Sequence, residues 1–174
     1  MRLDYPERPH PPEKGVTVLI DSPIGPLSLS ASGTGLTGLS FGGPDGPPTP
    51  LLLDAARQLA DYFAGTRRLF DVPLDLPAAG FRAAAQARLA EIPYGRTVTY
   101  AELAAMSGNP RAVRAAGSAC ATNPLPIIRP CHRVLRSDGS LGGYRGGLDA
   151  KRWLLDHEKR MSGTGGAPAQ SNRS

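Results

Sequence analysis

Residues 99–121, TYAELAAMSGNPRAVRAAGSACA, decide the fold of the C-terminal half of the chain. The pattern predicts a short helix over Thr99–Met106, with Thr99 as its N-cap, and a second helix over Arg111–Ala121. Between them, residues 107–110 read Ser-Gly-Asn-Pro, which is a turn sequence. Two short helices joined by a tight turn that contains glycine are typical of a helix-turn-helix, whose second helix contacts DNA.

The second predicted helix has a basic start and a surface of small residues. Arg111 and Arg114 are three positions apart and would therefore share one face of a helix. From Ala115 to Ala119 the side chains are small, so this helix could approach another backbone closely. That backbone could belong to DNA or to a neighbouring helix, and the residues alone leave both interpretations open.

The residues before this region predict a small antiparallel sheet followed by a helix. Apolar and polar residues alternate between turn signals, which predicts three strands, over Val16–Asp21, Pro26–Ala31 and Leu36–Phe41. A helix is predicted to begin at Thr49-Pro50 and to stop at Gly65, and a fourth strand is predicted around residues 69–74. Nothing in this half has a chemical pattern, so we interpret it as a scaffold.

The whole chain is therefore predicted to be α+β, with two units in 174 residues. Residues 1–14 are predicted to form a mobile arm, 15–76 the sheet unit, and 161–174 a disordered tail. The unit over 81–160 is predicted to be mainly helical. It begins with a helix over Phe81–Glu91 and ends with another that runs from Leu148 to about Lys159.

Composition excludes several classes of protein. The chain has only two cysteines and three histidines, so we expect no disulfide framework, no metal site and no cofactor. No apolar run is long enough to cross a bilayer, and the first residues lack a hydrophobic signal region, so we expect an intracellular, cytoplasmic protein. The net charge is +5 and its basic part falls in the second half, mostly as arginine. Such a surface is compatible with nucleic acid or with ordinary solvation.

The residues Pro130-Cys131-His132-Arg133-Val134 carry the strongest chemical signal. A cysteine beside a histidine reads as a nucleophile beside its base, because an imidazole can help to form the reactive thiolate. The pair alone is weak evidence, since a cysteine is often only a small buried hydrophobe. The glycine-rich loop over residues 142–147 lacks the lysine and the setting of a phosphate-binding loop, so a nucleotide triphosphate site is excluded.

Taken together, these motifs resemble the O6-alkylguanine-DNA alkyltransferases, also called methylated-DNA-protein-cysteine methyltransferases. The similarity covers about residues 81–160, keeps order and spacing, and is most specific in the stretch NPLPIIRPCHRV. The N-terminal half is compatible in pattern with the ribonuclease-H-like subdomain of that family. The matching positions are Ile92-Pro93-Tyr94-Gly95, Tyr100, Arg114, Asn123-Pro124, Pro130 to Val134, Gly142-Gly143-Tyr144 and Glu158.

The resemblance implies a reaction and its catalytic residues. Cys131 would take the alkyl group from guanine O6 in DNA, and O4-methylthymine is expected to be a second substrate. His132 would act as its base through a water molecule, and Glu158 would orient the imidazole. Because the product is a thioether, each monomer would act once and be consumed.

The resemblance also implies how double-stranded DNA carrying O6-alkylguanine would be bound. The damaged base would be extruded into a pocket, and Arg114 would fill the space it leaves, from the minor-groove side. Asn123 would be the hinge between the second helix and the loop of Cys131. The implied DNA contacts are Arg111, Arg114 and Ala115. The implied contacts to the base are Tyr100 at N3, Ser137 at O6 and the Val134 carbonyl at the amine, with Tyr144, Arg145 and Gly146 around the alkyl group.

Some positions differ from the family, and other functions compete. The chain lacks the tryptophan that family members usually carry near Gln86, and Arg129 stands where an aliphatic residue is common. Arg129 could add to the DNA surface, stabilise the thiolate or reach solvent. The rival functions are a damage-binding protein without activity, a helix-turn-helix transcription regulator and a Cys-His hydrolase. The presence of Cys131 argues against the first, and the second leaves Cys131 without a role.

Overall fold

The N-terminal half is built on the predicted antiparallel sheet. The computed structural model describes residues 16–163, so the predicted arm and residues 164–174 lie outside it. Its first three strands, β1 (Val16–Ile20), β2 (Leu27–Ala31) and β3 (Leu36–Phe41), pair in the order β1-β2-β3. The α+β class is confirmed, because this sheet is followed by helices.

Helix α1 (Pro50–Phe63) covers one face of this sheet. It begins as predicted: the Thr49 hydroxyl accepts a hydrogen bond from the amide of Leu52 at 3.3 Å, and proline occupies the first helical position. Gly65 has a φ of 81° just after the helix, a left-handed conformation that glycine adopts without strain. The buried face of α1 ends with Tyr62, whose side chain is fully enclosed.

The predicted fourth strand around residues 69–74 is wrong. This segment has no regular strand, and it joins the sheet only by an isolated bridge between Leu36 and Leu74. The amide of Leu36 donates to the carbonyl of Pro73 at 2.9 Å, and Asp75 returns a bond to Leu36 at 2.8 Å. Pro73 has no amide hydrogen to donate, so a longer ladder cannot form there.

The C-terminal half contains the predicted pair of short helices. Helix α2 (Gly80–Leu89) and strand β4 (Val98–Thr99) precede helix α3 (Tyr100–Met106) and helix α4 (Val113–Ala121). Helix α3 has a complete capping box between Thr99 and the third helical residue. The helix-turn-helix arrangement is therefore present, with α3 and α4 packed against each other.

The second helix begins later than predicted. Arg111 lies in the turn before α4, because the Asn109 side chain accepts a hydrogen bond from the Arg111 amide at 3.1 Å and holds a local turn. Arg111 and Arg114 are consequently not on one face of a helix.

A short parallel pair and a long helix complete the C-terminal half. Strand β5 (Val134–Leu135) pairs with β4 and directly follows a 3-10 turn over Cys131–Arg133. Helix α5 (Leu148–Gly163) runs past the predicted end near Lys159, so residues 161–163 are helical and do not belong to a disordered tail. Within residues 16–163, no helix combines the length and apolar character that a membrane crossing requires.

The two halves share part of their interior. The larger hydrophobic cluster contains the sheet and α1, and it also contains four residues of the second half: Leu125, Ile127, Ile128 and Leu154. A smaller cluster around Leu89, Leu103 and Ala116 includes Cys131 and Val134. The segment that leads to Cys131 thus packs against the N-terminal sheet, while Cys131 itself belongs to the helical core.

Candidate active site

Cys131 lies at the start of the 3-10 turn, where the backbone is held on both sides. Its amide donates to the carbonyl of Arg129 at 2.8 Å, and Val134 after the turn pairs with Val98 of β4. The cysteine side chain is only 6% exposed. The local sequence thus delivers the thiol to a fixed position in the interior.

His132 is completely buried and bonded to Glu158 of α5. Its Nε2 lies 2.7 Å from Oε1 of Glu158. Burial lowers the pKa of His132, and the opposing effect of Glu158 is smaller, so the ring is neutral near pH 7. A carboxylate can only accept, so we assign the ring proton to Nε2. Nδ1 then carries the free lone pair, and it is buried with no hydrogen-bond partner among residues 16–163.

Glu158 is the centre of a dense buried network. Arg133 donates to both carboxylate oxygens, from Nε at 2.9 Å and from Nη2 at 2.8 Å. The Tyr62 hydroxyl donates to Oε1 at 2.7 Å and the Gly95 amide to Oε2 at 3.2 Å. Burial by itself would raise the pKa of Glu158, but its bonds to His132 and Arg133 hold it well below the usual range. The carboxylate therefore stays ionised and fixes the imidazole.

This network includes residues that sequence reasoning missed. Tyr62 belongs to α1, so the N-terminal half contributes directly to the site and is more than the scaffold we predicted. Its position in the helical pattern reads as an ordinary core aromatic, and no motif distinguishes it. Arg133 belongs to the cysteine motif but was given no role of its own; its side chain is 6% exposed and also donates to the Ile92 carbonyl at 2.6 Å.

Cys131 is a protonated thiol in the protein as it stands. Burial raises its pKa, and a hydrogen bond from the Asn123 side chain opposes this more weakly. The positive charges of Lys151 and Arg145 also lower the pKa of Cys131, but they do not outweigh burial. Lys151 is fully buried, and its ammonium group donates to the Val134 carbonyl at 2.8 Å. A base is therefore needed to remove the thiol proton, and a nearby ammonium would favour the thiolate once it forms.

A pocket of about 290 Å³ opens above the cysteine. That volume is near the lower limit of ordinary ligand pockets, about 300 Å³. Burial raises the pKa of Tyr100, so its phenol keeps its proton near neutral pH. The residues that line the pocket are Tyr100, Gly117, Cys120, Ala121, Asn123, Pro126, Cys131, Gly143, Tyr144 and Arg145.

The glycine-rich loop forms one wall of this pocket. A Cβ atom at Gly142 would collide with the ring of Tyr100, so only glycine lets the loop lie this close. Arg145 spans from the loop to the end of α4, where its Nη2 donates to the Ala121 carbonyl at 3.1 Å. Tyr144 packs edge-on against Phe41 of β3, with ring centroids 5.6 Å apart. The N-terminal sheet thereby supports the wall of the pocket.

Three predicted contacts to the base lie outside the pocket lining. Ser137 is exposed in the turn after β5. Gly146 packs against the ring of Phe41, where it has no room for a side chain. The Val134 side chain is in the core, and its carbonyl is already bonded to Lys151. By contrast, the structure brings Tyr100, Tyr144 and Arg145 together around Cys131.

Asn123 connects the end of α4 to the cysteine loop. Its side-chain Nδ2 donates to the Arg129 carbonyl at 2.7 Å, and its Oδ1 accepts from the Leu125 amide at 3.2 Å. Asn123 is 1% exposed, so these bonds are shielded from water. This geometry suits the hinge role that the resemblance implies.

Helix α4 exposes its basic start and buries its small residues. Arg114 and Ala115 are exposed, as is Arg111 in the preceding turn, while Ala116 and Ala119 are buried against the other helices. Packing against neighbouring helices therefore accounts for Ala116 and Ala119, while an approach of the exposed face to DNA stays a prediction. Gln86, in the region where family members carry a tryptophan, donates to the Ala119 carbonyl at 3.1 Å and joins α2 to α4.

Two family models match the chain. Residues 16–76 match the ribonuclease-like domain of 6-O-methylguanine DNA methyltransferase, and residues 80–160 match its DNA-binding domain. Together these matches cover most of the chain and follow its two halves.

Proteins and solved structures similar to the chain point the same way. A methylated-DNA–protein-cysteine methyltransferase of Methanosarcina barkeri is 44% identical over 150 residues, which are 81% of this chain and 95% of the relative. The enzyme of that name from Mycobacterium bovis is 45% identical over 80% of this chain and 90% of its own length. The crystal structure of Mycobacterium tuberculosis OGT in complex with DNA has a sequence 44% identical to this one and matches with a TM-score of 0.76. The match covers 83% of this chain and 93% of the chain in that structure.

Proposed function

The chain belongs to the 6-O-methylguanine DNA methyltransferase family, and on that premise we propose that it repairs DNA by moving an alkyl group from guanine O6 to Cys131. The observation that carries this proposal is the position of Cys131 below a pocket, next to a neutral histidine held by a buried carboxylate. O4-methylthymine is proposed as a second substrate. The proposed substrate is double-stranded DNA that carries O6-alkylguanine. One chain supplies the whole site, so we propose that the protein acts as a monomer. Its proposed location is the cytoplasm, at the chromosomal DNA.

The damaged base has to leave the duplex before it can reach Cys131. Guanine O6 is covered by stacking and pairing, and the thiol lies inside the protein, so the nucleotide rotates out into the pocket. Arg114 is exposed at the start of α4 and takes the vacated place in the duplex. Arg111 and Ala115 border it and contact the DNA backbone.

Proton transfer then activates the thiol. The free lone pair of His132 Nδ1 accepts the Cys131 proton through a bridging water, while Nε2 stays bonded to Glu158. The positive charge that develops on the imidazole is balanced by the carboxylate. The nearby ammonium of Lys151 stabilises the thiolate.

The alkyl carbon passes from oxygen to sulfur in one displacement. The sulfur of Cys131 forms the new bond as the bond between that carbon and O6 breaks, and the bonding electrons remain on guanine. Tyr100, which lines the pocket and keeps its phenol proton, gives that proton to guanine N3. Normal guanine leaves, and Arg145 and Tyr144 enclose the alkyl group now on sulfur.

The protein is consumed by its own reaction. A thioether sulfur is a very poor leaving group, and the other thiol that lines the pocket, Cys120, keeps its proton because burial raises its pKa. We expect each molecule of protein to repair one lesion. Mass spectrometry after incubation with excess O6-methylguanine DNA should find one added methyl group, on the peptide that contains Cys131.

The same experiment separates the rival functions. A damage-binding protein or a transcription regulator would bind DNA and keep an unmodified Cys131. A hydrolase would process an ester or amide repeatedly without a stable mass change. Repair of several lesions per protein molecule, with Cys131 unchanged, would refute the proposal.

Replacing Arg114 with alanine should slow repair of duplex DNA by about 10- to 100-fold. Unstacking the damaged base costs a few kcal/mol of free energy, and the arginine side chain would no longer offset that cost. The free base O6-benzylguanine needs no extrusion, so its reaction with Cys131 should be nearly unchanged. Single-turnover rates with both substrates test this. Arg82→Gln is the matched control, since it removes an exposed arginine from α2. Equal slowing with the duplex and the free base would contradict the role of Arg114.

A further inference from the structure

A second cavity, of about 130 Å³, lies beside the loop that carries Cys131. It shares no lining residue with the pocket above the cysteine. Its walls come from the 68–74 segment, from Ala90 and from residues 127–130 together with Arg133. Three arginines line it, and none of its lining residues is acidic.

Two of these arginines already have partners. Arg133 is bonded to Glu158 and to the Ile92 carbonyl. Arg68 donates to the Met161 carbonyl at 2.9 Å, and its guanidinium lies 5.1 Å from the ring centre of Tyr94. The donors of Arg133 are therefore engaged within the protein, while Arg68 is exposed and has one hydrogen bond and one ring contact.

Arg129 is half-buried, and one of its guanidinium nitrogens has no such partner. Its Nη1 is buried and makes no hydrogen bond to any residue in the 16–163 range. Burial lowers the pKa of Arg129, and no carboxylate offsets that effect. A buried guanidinium donor without an acceptor is costly, so an acceptor from outside the chain would be stabilised here.

We infer that this cavity is a binding site for a small oxyanion, held by Arg129 between the N-terminal segment and the cysteine loop. Guanidinium groups bind phosphate and carboxylate oxygens with paired hydrogen bonds. The volume suits an anion the size of inorganic phosphate and is too small for a nucleotide. The phosphate could be free in solution or part of a DNA backbone, and the chemistry of recognition is the same.

Such an anion would brace the loop of Cys131 from a side that the alkyl pocket does not use. The Arg129 carbonyl receives the bonds from Asn123 and from the Cys131 amide, so the residue that holds the anion also fixes the hinge and the cysteine. Ile127, two residues earlier, has a φ of 74°, which is unfavourable for a β-branched residue. An anion that links Arg129 to the opposite wall would help to maintain this conformation.

The test is thermal unfolding of the full chain with inorganic phosphate, with sodium chloride added to keep ionic strength constant. At a phosphate concentration about ten times the dissociation constant, the melting temperature of the wild type should rise by about 3 °C. The rise should be lost in Arg129→Gln and kept in Arg82→Gln. Arg68→Gln, a second change in the cavity, should reduce the rise and provides a test if Arg129→Gln does not fold.

Competition with DNA identifies the source of the anion. If phosphate at constant ionic strength weakens duplex binding by the wild type but not by Arg129→Gln, the site takes a backbone phosphate. If duplex binding does not change, the site takes a free anion. No rise in the wild type, or equal rises in the wild type and Arg129→Gln, would overturn the inference. Neither result would affect methyl transfer to Cys131, which is measured separately.

Discussion

Alkyl transfer is expected to disappear completely when Cys131 is replaced by alanine, while binding to the modified duplex stays within about twofold. The sulfur is the only proposed acceptor, so its removal leaves no bond to form. Contacts to the DNA backbone dominate affinity, and the proposed ones lie in the turn before α4 and at the start of that helix, outside the cysteine turn. Transfer is measured as label moved from DNA to protein, and binding by fluorescence anisotropy.

Cys120 is the control for this prediction, because it is the only other thiol and lines the same pocket. Burial raises the pKa of Cys120 to about 12, so it holds its proton more firmly than an ordinary cysteine. In Cys120→Ala, the label should still appear on Cys131. Label on Cys120 in the Cys131→Ala protein would show that the acceptor has been wrongly assigned.

Replacing Glu158 with glutamine should have the second large effect, on both stability and rate. The change leaves the Arg133 guanidinium buried without its counter-charge, which costs about 3 to 5 kcal/mol in comparable pairs. It also removes the negative charge that balances the imidazolium, although the amide oxygen can still accept from Nε2, so transfer should slow by about 100-fold or more. Urea unfolding, followed by the fluorescence of the single tryptophan, measures the first effect.

The dependence on pH distinguishes loss of charge from loss of packing. In the folded protein the pKa of Glu158 lies below its ordinary value of 4.5. The stability that the carboxylate contributes is therefore complete above that value and is lost as the pH falls toward the folded pKa. The difference between wild type and Glu158→Gln should shrink in acid. A difference that does not depend on pH would indicate a packing defect.

Tyr62→Phe is the matched control for Glu158, because it removes one donor to the carboxylate and leaves the charge. The hydroxyl is fully buried and lies 2.7 Å from Oε1. The loss should be about 1.5 to 3 kcal/mol, typical of one hydrogen bond to a charged group. A loss as large as that of Glu158→Gln would mean that Tyr62, rather than the ion pair, holds the network together.

Local patterns predicted most of the fold, since they act over short stretches of chain. Alternation predicted the three strands of the antiparallel sheet but not the short parallel pair β4 and β5. The helix start at Thr49-Pro50 and the Thr99 cap were predicted correctly because capping depends on the next three residues alone. The failed strand over 69–74 has a suitable composition, but Pro73 removes a donor that a ladder needs. The late start of α4 reflects a competing turn at Asn109.

The residues of the candidate site could be predicted only where they belong to a sequence motif. The sequence spacing says nothing about contact between His132 and Glu158, which are 26 positions apart and meet because α5 packs behind the cysteine turn. Tyr62, 96 positions from Glu158, has no motif at all. Arg129 was left with three possible roles, because whether a guanidinium is paired depends on its surroundings in space.

The bond from Tyr62 to Glu158 bears on how this protein can be divided and recombined. Because α1 supplies a donor to the carboxylate that orients His132, the chemical centre does not coincide with the helical half that carries the sequence motif. An exchange of halves between two homologous proteins would preserve every motif of the C-terminal half. It would nevertheless place a different α1 helix beside the carboxylate of Glu158. A substituted α1 would therefore have to supply a donor to this carboxylate, so substitutions in that helix are constrained by a reaction whose residues lie elsewhere in the chain.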